Sequence, residues 1–148
     1  MNPEFSSHNL DQKIWILKGA ENIVNFIISR YTFVRKNIVV CDDYLGPITI
    51  KKTTPIWTAN LKLDNRGIKV RFLTDIRKEN LKYCKEMLDE LKHLEIRHMS
   101  GVKGNFSIFD DREIFTIFVD KPSEPVKDAI FCTQKGMVEI HLFTFENL

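Results

Sequence analysis

The sequence lacks most of the features that would assign a protein of this length to a class at once. Its three cysteines, Cys41, Cys84 and Cys132, are far apart and form no CxxC pair, so we expect neither a zinc site nor a disulfide framework. No run of about 18 apolar residues could span a bilayer, and the segment MNPEFSSHNLDQ has no apolar core of a signal peptide. We therefore expect a cytoplasmic protein with buried free thiols.

An excess of charge of one sign is missing as well. The chain has 22 Lys and Arg against 20 Asp and Glu, spread along its length, for a formal net charge of +2. This balance gives no electrostatic footprint for a nucleic-acid duplex and no polybasic tail. Glycine-rich phosphate loops, GxSxG elbows and metal ligands at fixed spacing are also absent. We expect no nucleic acid, membrane, metal or cofactor as a partner.

Strand-like and helix-like segments do alternate along the chain, in the order β-α-β-α-β-α-β-β-β-α. This order predicts one α/β domain over residues 13–148, with a mixed, mostly parallel sheet and helices on both faces. The turn DDRE joins two strands as a hairpin, and a helix follows Thr54 and Pro55. The course of residues 45–56 is ambiguous. Residues 1–12 are expected to form a disordered or vector-encoded tail.

The segment from Glu124 to Leu148 predicts a long C-terminal helix with two apolar rows. One row contains Val126, Ile130, Thr133, Met137 and Ile140, and the other contains Phe131, Val138, Leu142 and Phe145. A helix with two apolar faces needs two partners. One is its own sheet; the other is a second subunit or a following domain, although a deep groove on the same domain could absorb both. We expect a homodimer through this helix.

Polar side chains follow three of the predicted strands, at the edge where α/β sheets hold their ligand crevice. The candidate binding residues are Asp42 and Tyr44 after the second strand, Thr74 and Asp75 after the third, and Arg97 and His98 at the fourth. The acids could bind a cation or sugar hydroxyls, or act as caps and turns. Arg97 and His98 could clamp an anion, or Arg97 could instead pair with Asp75 or Asp42.

The stretch KGNFSIFDD, from Lys103, has the spacing of the phospholipase D signature HxKxxxxD without its His and Lys. Lys103 stands at the His position, Asn105 at the Lys position and Asp110 at the Asp position. The chemistry needs a histidine nucleophile and a lysine for the phosphate charge, so we predict no catalytic residue and no enzyme activity. The flanking glycines indicate a loop that approaches an anion, with Lys103 and Asn105 as binding residues, or a connection that needs positive φ twice.

A longer stretch, GIKVRFLTDIRKENLKYCKEML…LEIRHMSGVKGNF from Gly67 to Phe106, closely resembles the input region ahead of the kinase core in sensor histidine kinases of ammonia-oxidising archaea. In that family a strand G-V-K-[LIV]-R-[YF]-[IV]-T-[ED]-I leads to a helix N-[IL]-x-Y-C-K-E-[LM], then to [LV]-R-H-L-[DE]-G-[IV]-K-G-N-[FY]. The chain departs from the pattern in TIKKTTPIW, where a longer helix is usual.

The resemblance implies a phospholipase D-like three-layer sandwich that has lost catalysis, as in the effector domains of archaeal sugar-responsive transcription regulators. It implies that Arg97, His98, Lys103 and Asn105 are motif positions for a small-molecule or anionic ligand. The chain contains no kinase core, so we expect a non-enzymatic sensor domain that signals through its C-terminal helix to a kinase or regulator domain. An interaction or dimerisation module without a small ligand is the alternative.

Overall fold

A computed structural model describes residues 13–118 and 126–148. Its elements in chain order are β1 (Ile14–Lys18), α1 (Ala20–Tyr31), β2 (Asn37–Cys41), α2 (Gly46–Lys52), α3 (Thr54–Asn65), β3 (Lys69–Thr74), α4 (Lys78–Glu90), β4 (Leu94–His98), β5 (Phe106–Phe109), β6 (Glu113–Phe118), β7 (Asp128–Cys132) and α5 (Lys135–Glu146). The predicted tail, residues 1–12, lies outside the described residues. So does the predicted start of the C-terminal helix, at residues 124 and 125.

The strands form one mixed sheet in the order β1-β7-β6-β5-β2-β3-β4. β2, β3 and β4 are parallel neighbours, whereas β5 pairs antiparallel with β2, and the hairpin β5–β6, β7 and β1 continue antiparallel. The prediction of a mixed sheet is confirmed. Parallel pairing is less extensive than predicted. The helix α1 also joins β1 to β2, but β7, β6 and β5 lie between these two strands, so that only β2, β3 and β4 pair in parallel.

The predicted C-terminal helix is wrong in its first part, since Asp128–Cys132 forms β7 between β1 and β6. Ala129 and Phe131 are buried on one face of the sheet, and Cys132 is buried on the other. A strand that is covered on both faces gives a continuous apolar run, and such a run cannot be distinguished from a buried helix by periodicity. The helix itself begins at Lys135.

Two expectations about turns are tested by the backbone. The hairpin is confirmed: Asp110, Asp111 and Arg112 form its loop, the two aspartates have φ of 53° and 58°, and the Arg112 amide donates to the Phe109 carbonyl. The helix at Thr54 is confirmed as α3, with Pro55 in its first turn. The ambiguous stretch before it contains a separate short helix, α2.

Helices cover both faces of the sheet, as predicted. On one side, called here the helix-layer face, α1, α3 and α4 contribute Phe26, Leu63 and Met87 to the larger core. On the other side, called the α5 face, Val138 of α5 packs with Val39 and other strand residues. The three cysteines are free and buried. The fold is therefore a three-layer sandwich.

Candidate functional site

The carboxyl ends of β2, β3 and β4 meet at one edge of the sheet, where the predicted site residues were expected to converge. Asn105 lies at the same edge, because it precedes β5, whose first residue pairs with the last residue of β2. In the structure the predicted residues fall into three groups. Some are held by contacts within the protein, some are exposed on other surfaces, and some lie on the wall of a cavity.

Contacts within the protein hold Thr74, Asp75 and Tyr44. The Thr74 hydroxyl donates to the Asp43 carbonyl at 2.9 Å, and the Asp75 carboxylate accepts from the Gly101 amide at 3.1 Å and from Arg77 Nε at 3.0 Å. These donors, the Gly101 amide first, hold the pKa of Asp75 below its usual range. The guanidinium of Arg77 lies 4.1 Å from the centre of the Tyr44 ring. Bonds within the protein therefore occupy these groups.

Arg97 and His98 lie apart from each other. Successive residues of a strand point to opposite faces, so Arg97 is directed to the α5 face and His98 to the helix-layer side. Arg97 Nε donates to Glu95 at 2.7 Å and the Arg97 side chain is 79% exposed, while His98 Nδ1 accepts from the Ile76 amide at 2.9 Å. The two side chains lie on opposite faces of β4, an arrangement that does not favour the predicted joint clamp for an anion.

Lys103 and Asn105, the degenerate motif positions, also have separate environments. Lys103 is exposed in the loop between Gly101 and Gly104, whose φ values of 71° and 113° confirm a connection that needs positive φ twice. Asn105 accepts from the Asp43 amide at 3.3 Å. Asp110 is structural: its carboxylate accepts from the backbone amides of 35–37 at 2.9, 2.7 and 3.2 Å.

A cavity of about 310 Å³ lies between the helix-layer face of the sheet and helices α1 to α4. Most of its wall is apolar, including Ile23, Ile27, Ile38, Val40, Ile50, Ile56, Val70, Phe72, Met87, Leu94, Phe109 and Phe115. Its polar wall residues are Tyr31, Asp42, Asp43, Thr49, Thr53, Asn60, Asn105 and Ser107. None of the described residues that line it is Lys, Arg or His. Of the predicted site residues, Asp42 and Asn105 line this cavity.

Among the residues on the cavity wall, Asp42 has the most strongly shifted pKa. It follows Val40 by two residues and points to the same face, into the domain rather than toward the outer solvent. Burial, followed by the negative charge of Asp43, raises the pKa of Asp42 to about 8. None of the described residues forms a hydrogen bond or an ion pair with the Asp42 carboxylate. The group keeps some accessible surface because it faces the cavity.

Two neighbours shape this end of the cavity. A Cβ at Gly46 would lie 2.5 Å from Asp42 Cβ and 2.8 Å from Asp42 Oδ2, so only glycine permits α2 to approach this closely. Tyr31 and Asn60 also line the cavity, and burial, followed by the charge of Asp42, raises the pKa of Tyr31. Sequence reasoning missed Tyr31, Gly46 and Asn60. Tyr31 falls on the apolar stripe of α1, and neither of the others belongs to a motif.

Comparison with known proteins gives a fold and no family. No family model matches the sequence, and no curated protein does. Among solved structures, the chain superposes on TrmBL2, an archaeal chromatin protein with a novel mode of DNA binding, at TM-score 0.69 and 18% identity, covering 99% of this chain and 54% of that one. NucT from Helicobacter pylori gives TM-score 0.69 and 13% identity over 91% of this chain and 94% of that one.

Polyphosphate kinase from Porphyromonas gingivalis superposes with TM-score 0.64 and 12% identity. The match covers 99% of this chain and 29% of the polyphosphate kinase chain. The fold is phospholipase D-like. At these identities the likeness establishes the fold alone, and the chain spans about half the length of TrmBL2. No helix within residues 13–118 and 126–148 is long and apolar enough to cross a membrane.

One partner expectation is corrected by these comparisons. The expectation of no nucleic-acid partner is wrong, because a protein with this fold, TrmBL2, binds DNA. The expectation rested on the net charge of +2. A net charge sums the whole chain, whereas nucleic-acid binding depends on where the basic groups lie on the surface.

Proposed function

We propose that this chain is a non-enzymatic ligand-binding domain that serves as the input unit of a sensor histidine kinase or a related regulator. The cavity beneath Asp42 is the observation on which the proposal rests. Its volume of about 310 Å³ lies at the small end of the range of ligand pockets, about 300 to 1,000 Å³. Its apolar wall with a few convergent polar groups at one end is the usual composition of such pockets.

The residues at the degenerate motif support a role without catalysis. Lys103 is exposed on its loop, and the Asn105 amide is engaged with Asp43. Neither provides the imidazole nucleophile or the phosphate-binding cation of the phospholipase D reaction. Asp110, the residue that does match the signature, accepts backbone hydrogen bonds and thereby fixes the hairpin to the loop after α1. The remaining motif therefore has a structural use.

Contacts between the cavity and α5 support a role in signalling. Asn105 lines the cavity, and the next residue, Phe106, packs on the opposite face against α5, with its ring 5.2 Å from that of His141. Phe145 of α5 belongs to the same contacts. A ligand that displaced Asn105 would therefore move a residue in direct contact with α5, which makes α5 the proposed output element.

The proposed function is tested by filling the cavity. Ser107 lies on its wall, and Ser107→Phe places a ring in the space, whereas the matched control Ser107→Ala removes only a hydroxyl. We expect native mass spectrometry of protein from its own host to find a bound small molecule on the wild type and on Ser107→Ala. The molecule should be lost from Ser107→Phe. An empty wild type, or a molecule that Ser107→Phe retains, contradicts the proposal.

An interaction module without a small ligand is the second candidate, and the outer surface of α5 favours it. Ile140 and Phe143 are 62% and 70% exposed on that surface, and Met137 is exposed beside them. An exposed apolar row of this kind is typical of protein contacts. Sedimentation of the wild type beside Phe143→Glu tests it: a monomer at every concentration for both proteins would leave this row without a self-contact.

A further inference from the structure

We propose that the cavity accepts a small organic cation, a molecule whose protonated amine binds the Asp42 carboxylate and whose apolar body fills the space below it. This inference rests on the proposed ligand-binding function, and it names the chemical class of the ligand. It replaces the anion suggested by Arg97, His98 and Lys103, since none of these residues lines the cavity.

The charges on the cavity wall favour a cation. Two carboxylates, Asp42 and Asp43, lie on the wall, and no Lys, Arg or His accompanies them among the described residues that form it. An anion entering this space would lose its hydration without gaining a charge partner. A cation would instead supply the partner that the Asp42 carboxylate lacks.

Asp42 is the acid that remains available. Asp43 already accepts from the Leu45 amide at 2.9 Å and contacts Asn105 Nδ2 at 3.5 Å. Asp42 makes no such contact with the described residues, and its carboxyl group is directed into the cavity. A buried carboxylate without a partner is unfavourable, and a charged donor at this position would stabilise the ionised form of Asp42.

The apolar wall argues against a polyol. Sugar hydroxyls on the body of a ligand would face Ile, Val and Phe side chains and would remain without hydrogen bonds, each at a cost of about 1–3 kcal/mol. Polarity at one end and apolar walls elsewhere fit a molecule with one polar end. The volume of about 310 Å³ corresponds to roughly ten water molecules, which suits a single ring with a short amine tail.

Three probes of similar shape test the inference by isothermal titration: phenethylamine, its alcohol phenethyl alcohol, and its acid hydrocinnamate. We expect phenethylamine to bind the wild type at least about tenfold more tightly than the alcohol, and hydrocinnamate not to bind. Asp42→Asn should weaken the amine by about tenfold or more and leave the alcohol unchanged. The control Asp111→Asn removes an exposed acid in the hairpin loop and should change neither.

The outcomes separate this inference from the proposed function. Equal affinity for amine and alcohol, tightest binding of hydrocinnamate, or an unchanged amine affinity in Asp42→Asn overturns the cation and leaves the ligand-binding cavity in place. If no probe binds, and the host molecule found by mass spectrometry contains no amine, the inference of a cationic ligand is likewise overturned. If no probe binds and the wild type carries no host molecule, both the inference and the proposed function are overturned.

Discussion

The carboxyl group of Asp42 shows how a residue can be held in an unfavourable environment by its neighbours. Gly46 allows α2 to pack directly over it, and the adjacent Asp43 adds a like charge. Nothing among the described residues compensates either effect. Strongly shifted acids of this kind are frequent at functional sites, where the chemistry of the site requires a tuned pKa.

The shifted acid predicts how stability depends on pH. The unfolded Asp42 titrates near pH ~3.9 and the folded one near pH 8, so the native state binds one more proton between these values. The free energy of unfolding should therefore fall as pH rises through this window, by up to about 1.4 kcal/mol per pH unit. Chemical denaturation of the wild type and of Asp42→Asn between about pH 5 and pH 8 measures this slope.

Asp42→Asn should flatten the slope, since the amide does not titrate. Asp43, Tyr31 and Cys41 are the other titratable groups around Asp42. Burial, with the charge of Asp42, raises the pKa of Cys41 to about 11 and also raises that of Tyr31, so both stay neutral in the window. A wild type of constant stability, or a variant with the same slope, would mean that solvent reaches Asp42 more freely than its position indicates.

Residue patterns predicted part of the site and missed the rest for a physical reason. Asp42 and Asn105 were found because they end a strand and occupy a motif position. Arg97 and His98 were treated as a pair, although the two-residue period of a strand separates them. Tyr31 and Asn60 come from helices that fold over the sheet, and their approach to Asp42 depends on tertiary packing that no local pattern encodes.

At the scale of elements, a helix or strand could be predicted from the sequence more readily when only one of its faces is buried. Elements with one covered face, such as α1, carry a stripe that the sequence displays. The inward row of α4 is less visible because it begins with Asn80, a buried side chain whose amide donates to the carbonyls of Tyr44 and Asp75. β7 has two covered faces, so its apolar run resembled a helix.

The helix α5 carries a prediction of its own, because it covers its face of the sheet with few contacts. Val138 is its buried residue, and Arg71 of β3 pairs with Glu146 at 2.7 Å near its end. Val138→Ala should lower the free energy of unfolding by about 1–3 kcal/mol through lost burial. Chemical denaturation measures this, with Ile140→Ala as the matched control on the exposed side.

Both substitutions replace a β-branched residue by alanine and gain a similar helix propensity, so their difference mainly reports packing. Equal effects of the two variants would mean that α5 does not pack through Val138. Such a result would also remove the contact path from Asn105 through Phe106 to α5, on which the proposed output rests. Stability of this one helix therefore bears on the function of the whole domain.

At the scale of the whole molecule, the fold is phospholipase D-like, whereas Lys103 and Asn105 stand where the signature has His and Lys. The signature spacing falls on β5 and its hairpin, where Asp110 holds three backbone amides and Lys103 lies exposed before the strand. A substitution at Lys103 should leave the sheet undisturbed, because this side chain is exposed on its loop. A phospholipase D-like fold therefore does not by itself imply the phospholipase D reaction.

The last prediction tests that separation of fold from reaction. The protein should hydrolyse bis(p-nitrophenyl) phosphate no faster than its Lys103→Ala variant, because a protonated lysine is a poor nucleophile and Asn105 brings no cation to the phosphate. Release of nitrophenolate is followed by absorbance, with both proteins prepared in parallel so that a contaminating phosphodiesterase would contribute equally. A wild-type rate clearly above that of the variant would make Lys103 a participant in catalysis. It would then require a nucleophile at this edge of the sheet other than histidine, and the proposed role as a non-enzymatic input domain would be wrong.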